Sequence, residues 1–175
     1  MNLPENILDV FLQPGDFYWG DSETRIRTLL GSCVSFCLWH PYLKIGGMCH
    51  YMLPSRGVRR NLENRLDGRY ADEAMEMFLI EIERANTKPQ EYKVKLFGGA
   101  SMFSDMNLRI NKQSENTDFI RLQDMGTRNI EKARQLVETF RLNVTSENLG
   151  GTRHRRLHFD LWSGNVWLKR QETNE

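Results

Sequence analysis

Residues 33–53, CVSFCLWHPYLKIGGMCHYML, place two β-type segments on either side of a turn. Val34, Phe36 and Leu38 alternate with Cys33, Ser35 and Cys37, which is the two-residue period of a strand. Pro41 has no N–H to donate to a ladder, so HPYLK at 40–44 turns the chain. IGGMCHYML at 45–53 then returns, and Pro54 ends it. A hairpin of this kind commits the chain to a sheet that is antiparallel at that point.

The rest of the chain fits around that sheet. ILDVFL (7–12) reads as a first strand, and FYWG (17–20) and TRIRTLL (24–30) as short strands flanking a turn at Gly20–Asp21. The clearest helix is 70–86, where Ala71, Ala74, Met75, Phe78, Leu79 and Ile82 form one apolar stripe. Met75 and Met77 belong to its core or its solvated edge. YKVKLF (92–97) alternates and runs into Gly98–Gly99, and 104–118 reads as a polar loop. A second helix spans 128–140, with Ile130, Ala133, Leu136, Val137 and Phe140 on its face. NVTSENL (143–149) is a strand, and 156–162 with 165–169 form a hairpin around Ser163–Gly164, its Trp162 and Trp167 read as core. Strands outnumber helices and short turns join many of them. The expected fold class is α+β, a layered α/β sandwich with mixed or antiparallel sheets, in one domain over 1–175.

Composition narrows the function classes. The 175 residues are 39% hydrophobic and 27% charged, which is globular, and the formal net charge is +1. Bulk charge therefore gives no drive toward nucleic acid or acidic lipid. The basic clusters RGVRRNLENR (56–65) and RHRR (153–156) read as solvated faces. The N-terminus carries Glu5, Asp9 and Asp16 with no basic region, unlike a secretory signal, and no window approaches the ~20 apolar residues of a spanning helix. The expected location is the cytoplasm, with no direct membrane insertion, where thiols stay reduced.

All three cysteines lie in 33–49, with His50 beside the last. A structural zinc reading requires Cys33, Cys37, Cys49 and His50 to converge. On a strand, positions i and i+4 lie ~13 Å apart, and Cys49 and His50 face opposite ways. A disulfide is disfavoured by compartment. The third reading is a thiol beside its base. If the hairpin pairs with positions summing to 83, Cys33 faces His50, Ser35 faces Met48 and Cys37 faces Gly46; a thiolate beside His⁺ then has a depressed pKa. Gly31 lets the chain turn and present backbone N–H groups near Ser32 and Cys33, which suits an oxyanion. Gly46 and Gly47 leave room for a substrate chain. Gly98–Gly99 and Gly150–Gly151 read as loops bordering the site, where a substrate backbone can approach, or as ordinary turn glycines. Cys37 and Cys49 read as small core residues.

The segment LLGSCVSFCLWHPYLKIGGMCHYMLP (29–54) closely resembles the signature of the chemoreceptor glutamine deamidase family, CheD. The resemblance continues through VKLFGGASMF (94–103), MGTRN (125–129) and NLGGTRHRRLHFDLWSGNVWLK (148–169). It implies hydrolysis of glutamine side-chain amides on methyl-accepting chemotaxis receptors, in some members with action on glutamyl methyl esters. It implies Cys33 as nucleophile, His50 as base, no cofactor, and a fold akin to deamidating bacterial toxins. Partners implied are the receptors' cytoplasmic helical region and, in some bacteria, a CheC-type phosphatase. The family often has threonine six residues before the nucleophile, orienting the histidine. Here that position is Arg27, and Thr28 stands five before. Thr28 serves only if a bulge shifts the strand, because neighbouring side chains face opposite ways. His154 replaces a usual glycine, as a surface residue or an altered substrate contact. The competing readings are a docking module whose catalysis has decayed, for which Arg27 is the motive, and a thiol amidase or esterase for another substrate.

Overall fold

The computed structural model describes residues 3–57, 65–101 and 125–170. Its elements in chain order are β1 (Leu8–Leu12), β2 (Phe17–Gly20), β3 (Thr24–Leu30), β4 (Val34–Trp39), β5 (Gly46–Cys49), α1 (Ala71–Arg84), a 3₁₀ turn (Pro89–Glu91), β6 (Lys93–Gly98), α2 (Met125–Thr139), β7 (Asn143–Leu149), β8 (Arg155–Asp160) and β9 (Asn165–Arg170). The expected loop at 104–118 and most of the basic stretch after Gly57 lie outside the described residues.

The strands form two mixed sheets. One has the order β1-β3-β8-β9 and the other β2-β5-β4-β6-β7. The β1–β3 and β6–β7 pairs are parallel and the others antiparallel. The five-stranded sheet is the middle layer. Val34, Phe36 and Leu38 point from β4 into a core shared with Ala74, Met75, Phe78 and Ile82 of α1 and Ala133 and Leu136 of α2. Cys37, Trp39 and Met48 point the other way, onto Ile26, Leu30, Leu157 and Phe159 of the four-stranded sheet. Both faces of β4 are therefore buried, and its alternation separates two cores rather than core from solvent. The layered α+β expectation agrees with this arrangement.

Three local expectations are corrected. The turn at Gly20–Asp21 that β2 and β3 flank does not pair them: the chain changes sheet between them, and changes back between β3 and β4. The β4–β5 pairs sum to 85, as Cys37↔Met48 and Trp39↔Gly46, and so does the bridge Val34↔Tyr51. The register is shifted by two from the expected 83. Trp167 is 61% exposed, its Nε1 donating to Asp160 Oδ2 at 3.0 Å, because β9 is an edge strand whose odd positions face outward.

Helix α1 has Asp72 and Glu73 in its first turn and Arg84 in its last, which suits the helix dipole. Phe78 anchors it, with its ring edge-on to Phe17 at 4.8 Å. Helix α2 approaches the glycine loop after β6 at Gly126, where an added Cβ would lie 2.6 Å from both Gly99 O and Ala100 O. Backbone oxygens cannot swing aside. Gly→Ala inside a helix ordinarily stabilises by about 1 kcal/mol. Gly126→Ala is expected to have the opposite sign, destabilising by about 1–3 kcal/mol through overpacking. Urea denaturation of the two proteins reads the sign directly.

Candidate active site

The site lies where the chain crosses from the four-stranded to the five-stranded sheet. Gly31, Ser32 and Cys33 make the crossing, and all three of their carbonyls are tied down. Gly31 O accepts from Ala100 N at 2.9 Å and Cys33 O from Gly99 N at 2.8 Å. Ser32 O accepts from Asn129 Nδ2 at 3.1 Å. No protein carbonyl or carboxylate among the described residues accepts the N–H of Ser32 or Cys33. The half-buried Cys33 side chain packs against the core between the sheets.

His50 follows β5 and is held at both backbone groups. Its N–H donates to Asp16 O at 3.0 Å and its carbonyl accepts from Gly15 N at 2.7 Å. The ring crosses the gap between the sheets, where Nδ1 lies 2.7 Å from Thr28 Oγ1. Thr28 is fully buried on β3, and its hydroxyl also sits 3.0 Å from Leu12 O. A hydroxyl has one proton, and a carbonyl can only accept. Thr28 therefore donates to Leu12 O and accepts from His50 Nδ1–H. This assigns the ring proton to Nδ1 and leaves a lone pair on Nε2.

Thr28 thus reaches His50 without a bulge, since β3 runs in unbroken register with both β1 and β8. The parity argument failed because Thr28 and Cys33 are not on one strand. Arg27 faces outward, its Nε 2.6 Å from Asp9 Oδ1 and its guanidinium over the Phe11 ring. The sequence motive for a decayed site is therefore absent from the site.

With positions summing to 85, Cys33 falls opposite Met52 and diagonal to His50 on the same face. On a regular ladder a diagonal pair is about 7–8 Å apart. No hydrogen bond joins the two side chains. Burial pushes the Cys33 thiol up to about 11, partly offset by its own backbone N–H. Burial pulls His50 down to about 4, against the Asp16 carboxylate, which raises it. The expected thiolate–imidazolium pair is corrected: at neutral pH the resting groups are a thiol and a neutral imidazole.

The glycines have other duties than expected. A Cβ on Gly46 would run into Leu38 O, and one on Gly47 would lie 2.5 Å from Tyr18 O, so both serve strand packing inside the sheet rather than room for a substrate. A Cβ on Gly98 would run into Cys33 O, and the Gly99 N–H is spent on that same carbonyl. Both buttress the crossing from behind. Cys37 and Cys49 are buried in opposite cores, as expected. His154 is half-buried on the loop before β8. Among the described residues no group of His, Cys, Asp or Glu is placed to hold a metal ion, and no helix is long and apolar enough to cross a membrane.

Sequence reasoning missed Asn129. Its Nδ2 donates to Ser32 O and to Met52 O at 2.8 Å, clipping together the two chain segments at Cys33. Two carbonyl acceptors fix the amide's orientation and leave Oδ1 buried without a donor. Its place in MGTRN was the only available signal.

Buried His50 takes up protons in the unfolded chain near its ordinary 6.5 but in the folded chain only near 4. The unfolded state binds more protons in between, so stability is full above 6.5 and falls as pH drops toward 4. The difference corresponds to about 3 kcal/mol. Urea denaturation from pH 7 to 4.5 is expected to show a shallower loss for His50→Gln than for the native chain.

A family model described as CheD chemotactic sensory transduction matches residues 52–170. That span starts just past His50, so Thr28, Cys33 and His50 lie outside it. Curated relatives cover them. A protein of Dechloromonas aromatica (strain RCB) named "Probable chemoreceptor glutamine deamidase CheD 3" is 48% identical over 165 residues, 94% of this chain and 89% of its own. A Leptospira interrogans protein (serovar copenhageni) named "Probable chemoreceptor glutamine deamidase CheD 1" is 42% identical over 169 residues, 97% of this chain and 96% of its own. One from Pseudomonas savastanoi pv. phaseolicola, named "Probable chemoreceptor glutamine deamidase CheD", is 44% identical over 171 residues, 98% and 89%.

Proposed function

The chain belongs to the CheD family, and on that premise we propose that it hydrolyses glutamine side chains of chemoreceptors with Cys33 as nucleophile and His50 as base. The observation that carries the reading is the Leu12–Thr28–His50 relay, which leaves Nε2 of a neutral imidazole free to take a proton. Nε2 takes the Cys33 proton as sulfur attacks the amide carbon. The N–H groups of Ser32 and Cys33, which no carbonyl or carboxylate among the described residues accepts, receive the developing oxyanion. Protonated His50 returns the proton to the leaving nitrogen, releasing ammonia and a thioester. A water deprotonated by the same Nε2 then cleaves the thioester to glutamate and free thiol. Every proton passes through one ring nitrogen, and no cofactor enters.

Thr28 acts through His50, as a positioning residue. A glutamyl methyl ester offers the same acyl carbon with methanol as leaving group, so ester-bearing segments measure that side activity.

The test is conversion of glutamine to glutamate in a receptor cytoplasmic fragment, followed by peptide mass spectrometry. Cys33→Ala is expected to abolish it. Thr28→Val removes the acceptor for Nδ1–H and is expected to lower kcat by about 10- to 100-fold with KM nearly unchanged. Thr28→Ser keeps the hydroxyl and is expected to restore most of the rate. Equal rates for Val and Ser would remove Thr28 from the mechanism, and absence of conversion by the native chain would remove the deamidase reading.

A further inference from the structure

The loop after β7 opens a second feature, at the end of the five-stranded sheet where Cys33 lies. Gly150, Gly151, Arg153, Arg155 and Arg170 border a cavity of about 270 Å³. Arg155 is 4% exposed, which corrects the reading of RHRR as a solvated face. Its guanidinium donates to Asn148 Oδ1 at 2.8 Å, Gly150 O at 2.5 Å and Arg153 O at 3.3 Å. All three acceptors are neutral, and two of its five N–H donors are left over. Arg170 sits directly opposite it in the β8–β9 ladder. Like charges so placed repel unless an anion lies between them. Among the described residues no carboxylate pairs with Arg153, Arg155 or Arg170. Burial and the Arg170 charge both weaken the hold of Arg155 on its proton.

The cavity's position relates it to the thiol. Gly150 N donates to Gly98 O at 2.9 Å. Val34, Gly98 and Leu149 are paired neighbours on β4, β6 and β7. Two inter-strand steps span about 10 Å, so the cavity begins roughly that far from Cys33. Two turns of an α-helix cover about the same distance.

We propose that this arginine cavity takes a carboxylate side chain of the substrate segment, about two helical turns from the glutamine presented to Cys33. The proposal rests on the deamidase reading and deepens it. The ligand is the chemical product of the reaction: each turnover changes a neutral amide to a carboxylate. A segment already converted at one position thereby becomes a better substrate at the next, and conversion proceeds in a preferred order.

The test separates binding from chemistry. A receptor fragment is made with glutamate or with glutamine seven residues to either side of the target, and its affinity for the Cys33→Ala chain is measured by titration calorimetry. The glutamate fragment is expected to bind about tenfold tighter, a preference that weakens with added salt. The double variant Arg153→Gln, Arg170→Gln alters two exposed side chains and is expected to lose the preference. On the native chain the same preference is expected in KM rather than in kcat. Equal binding of the two fragments, or a preference that survives in the double variant, overturns the proposal. So does inorganic phosphate that binds the chain and is not displaced by the glutamate fragment. If the preference holds while the native chain converts neither fragment, the deamidase reading fails and the carboxylate cavity stands.

Discussion

The central strands of the five-stranded sheet have no solvent face, and most of the molecule follows from that. Strands β4 and β5 are buried over their whole length, so every polar group they carry toward either core needs a partner. The partners lie on the neighbouring strand or across layers. Ser35 Oγ donates to Cys49 O, Trp39 Nε1 to Leu161 O at 2.6 Å, and Tyr51 Oη to Asn129 O at 2.6 Å. Leaving one such group unpaired costs about 1–3 kcal/mol. The Thr28–His50 bond belongs to this set. It satisfies a buried imidazole and also fixes which nitrogen is left without a proton.

The same constraint explains the setting of Cys33. A chain that crosses between two buried sheets has few residues in which to turn, and the Gly31–Cys33 carbonyls must be bonded at once. Ala100, Asn129 and Gly99 do this from the far side, which leaves the N–H side of the crossing unclaimed. The glycines around it are required by backbone meeting backbone. Asn129 is the under-satisfied member, since its two donated bonds leave Oδ1 without one. The cost of that orphan acceptor is concentrated beside Cys33, where it purchases a fixed loop.

Much of this was readable from the sequence, and the failures have specific causes. Helical spacing located α1 and α2 within a few residues, and β7 matched its expected span. The register slip of two went unseen because a two-residue shift keeps every side chain on its face; hydrophobic pattern cannot distinguish 83 from 85. The sheet changes were invisible because residues 21–23 and 31–33 look like ordinary hairpin turns. Counting parity from Cys33 back to Thr28 then gave the wrong side, although Thr24, Ile26, Thr28 and Leu30 share one buried face of β3. Cys33 and His50 could be named from motif and hairpin together. Asn129 could not, because nothing local marks an asparagine on a helix as reaching two distant carbonyls.

The neutral resting pair changes how the proposed reaction is controlled. A thiolate–imidazolium pair would be reactive toward any electrophile that reached it. A thiol held near 11 beside an imidazole held near 4 is not, because sulfur is nucleophilic only as the thiolate. Charge separation inside the buried gap is unfavourable until something stabilises it. In the proposed reaction a seated amide supplies that, since the proton moves to Nε2 as the new S–C bond forms and the negative charge passes to an oxygen facing the N–H groups of Ser32 and Cys33. On the proposed mechanism, the burial that makes Cys33 a poor free nucleophile is thus the origin of its selectivity. It ties bond formation to a correctly placed glutamine and gives solvent-borne oxidants a mostly protonated sulfur.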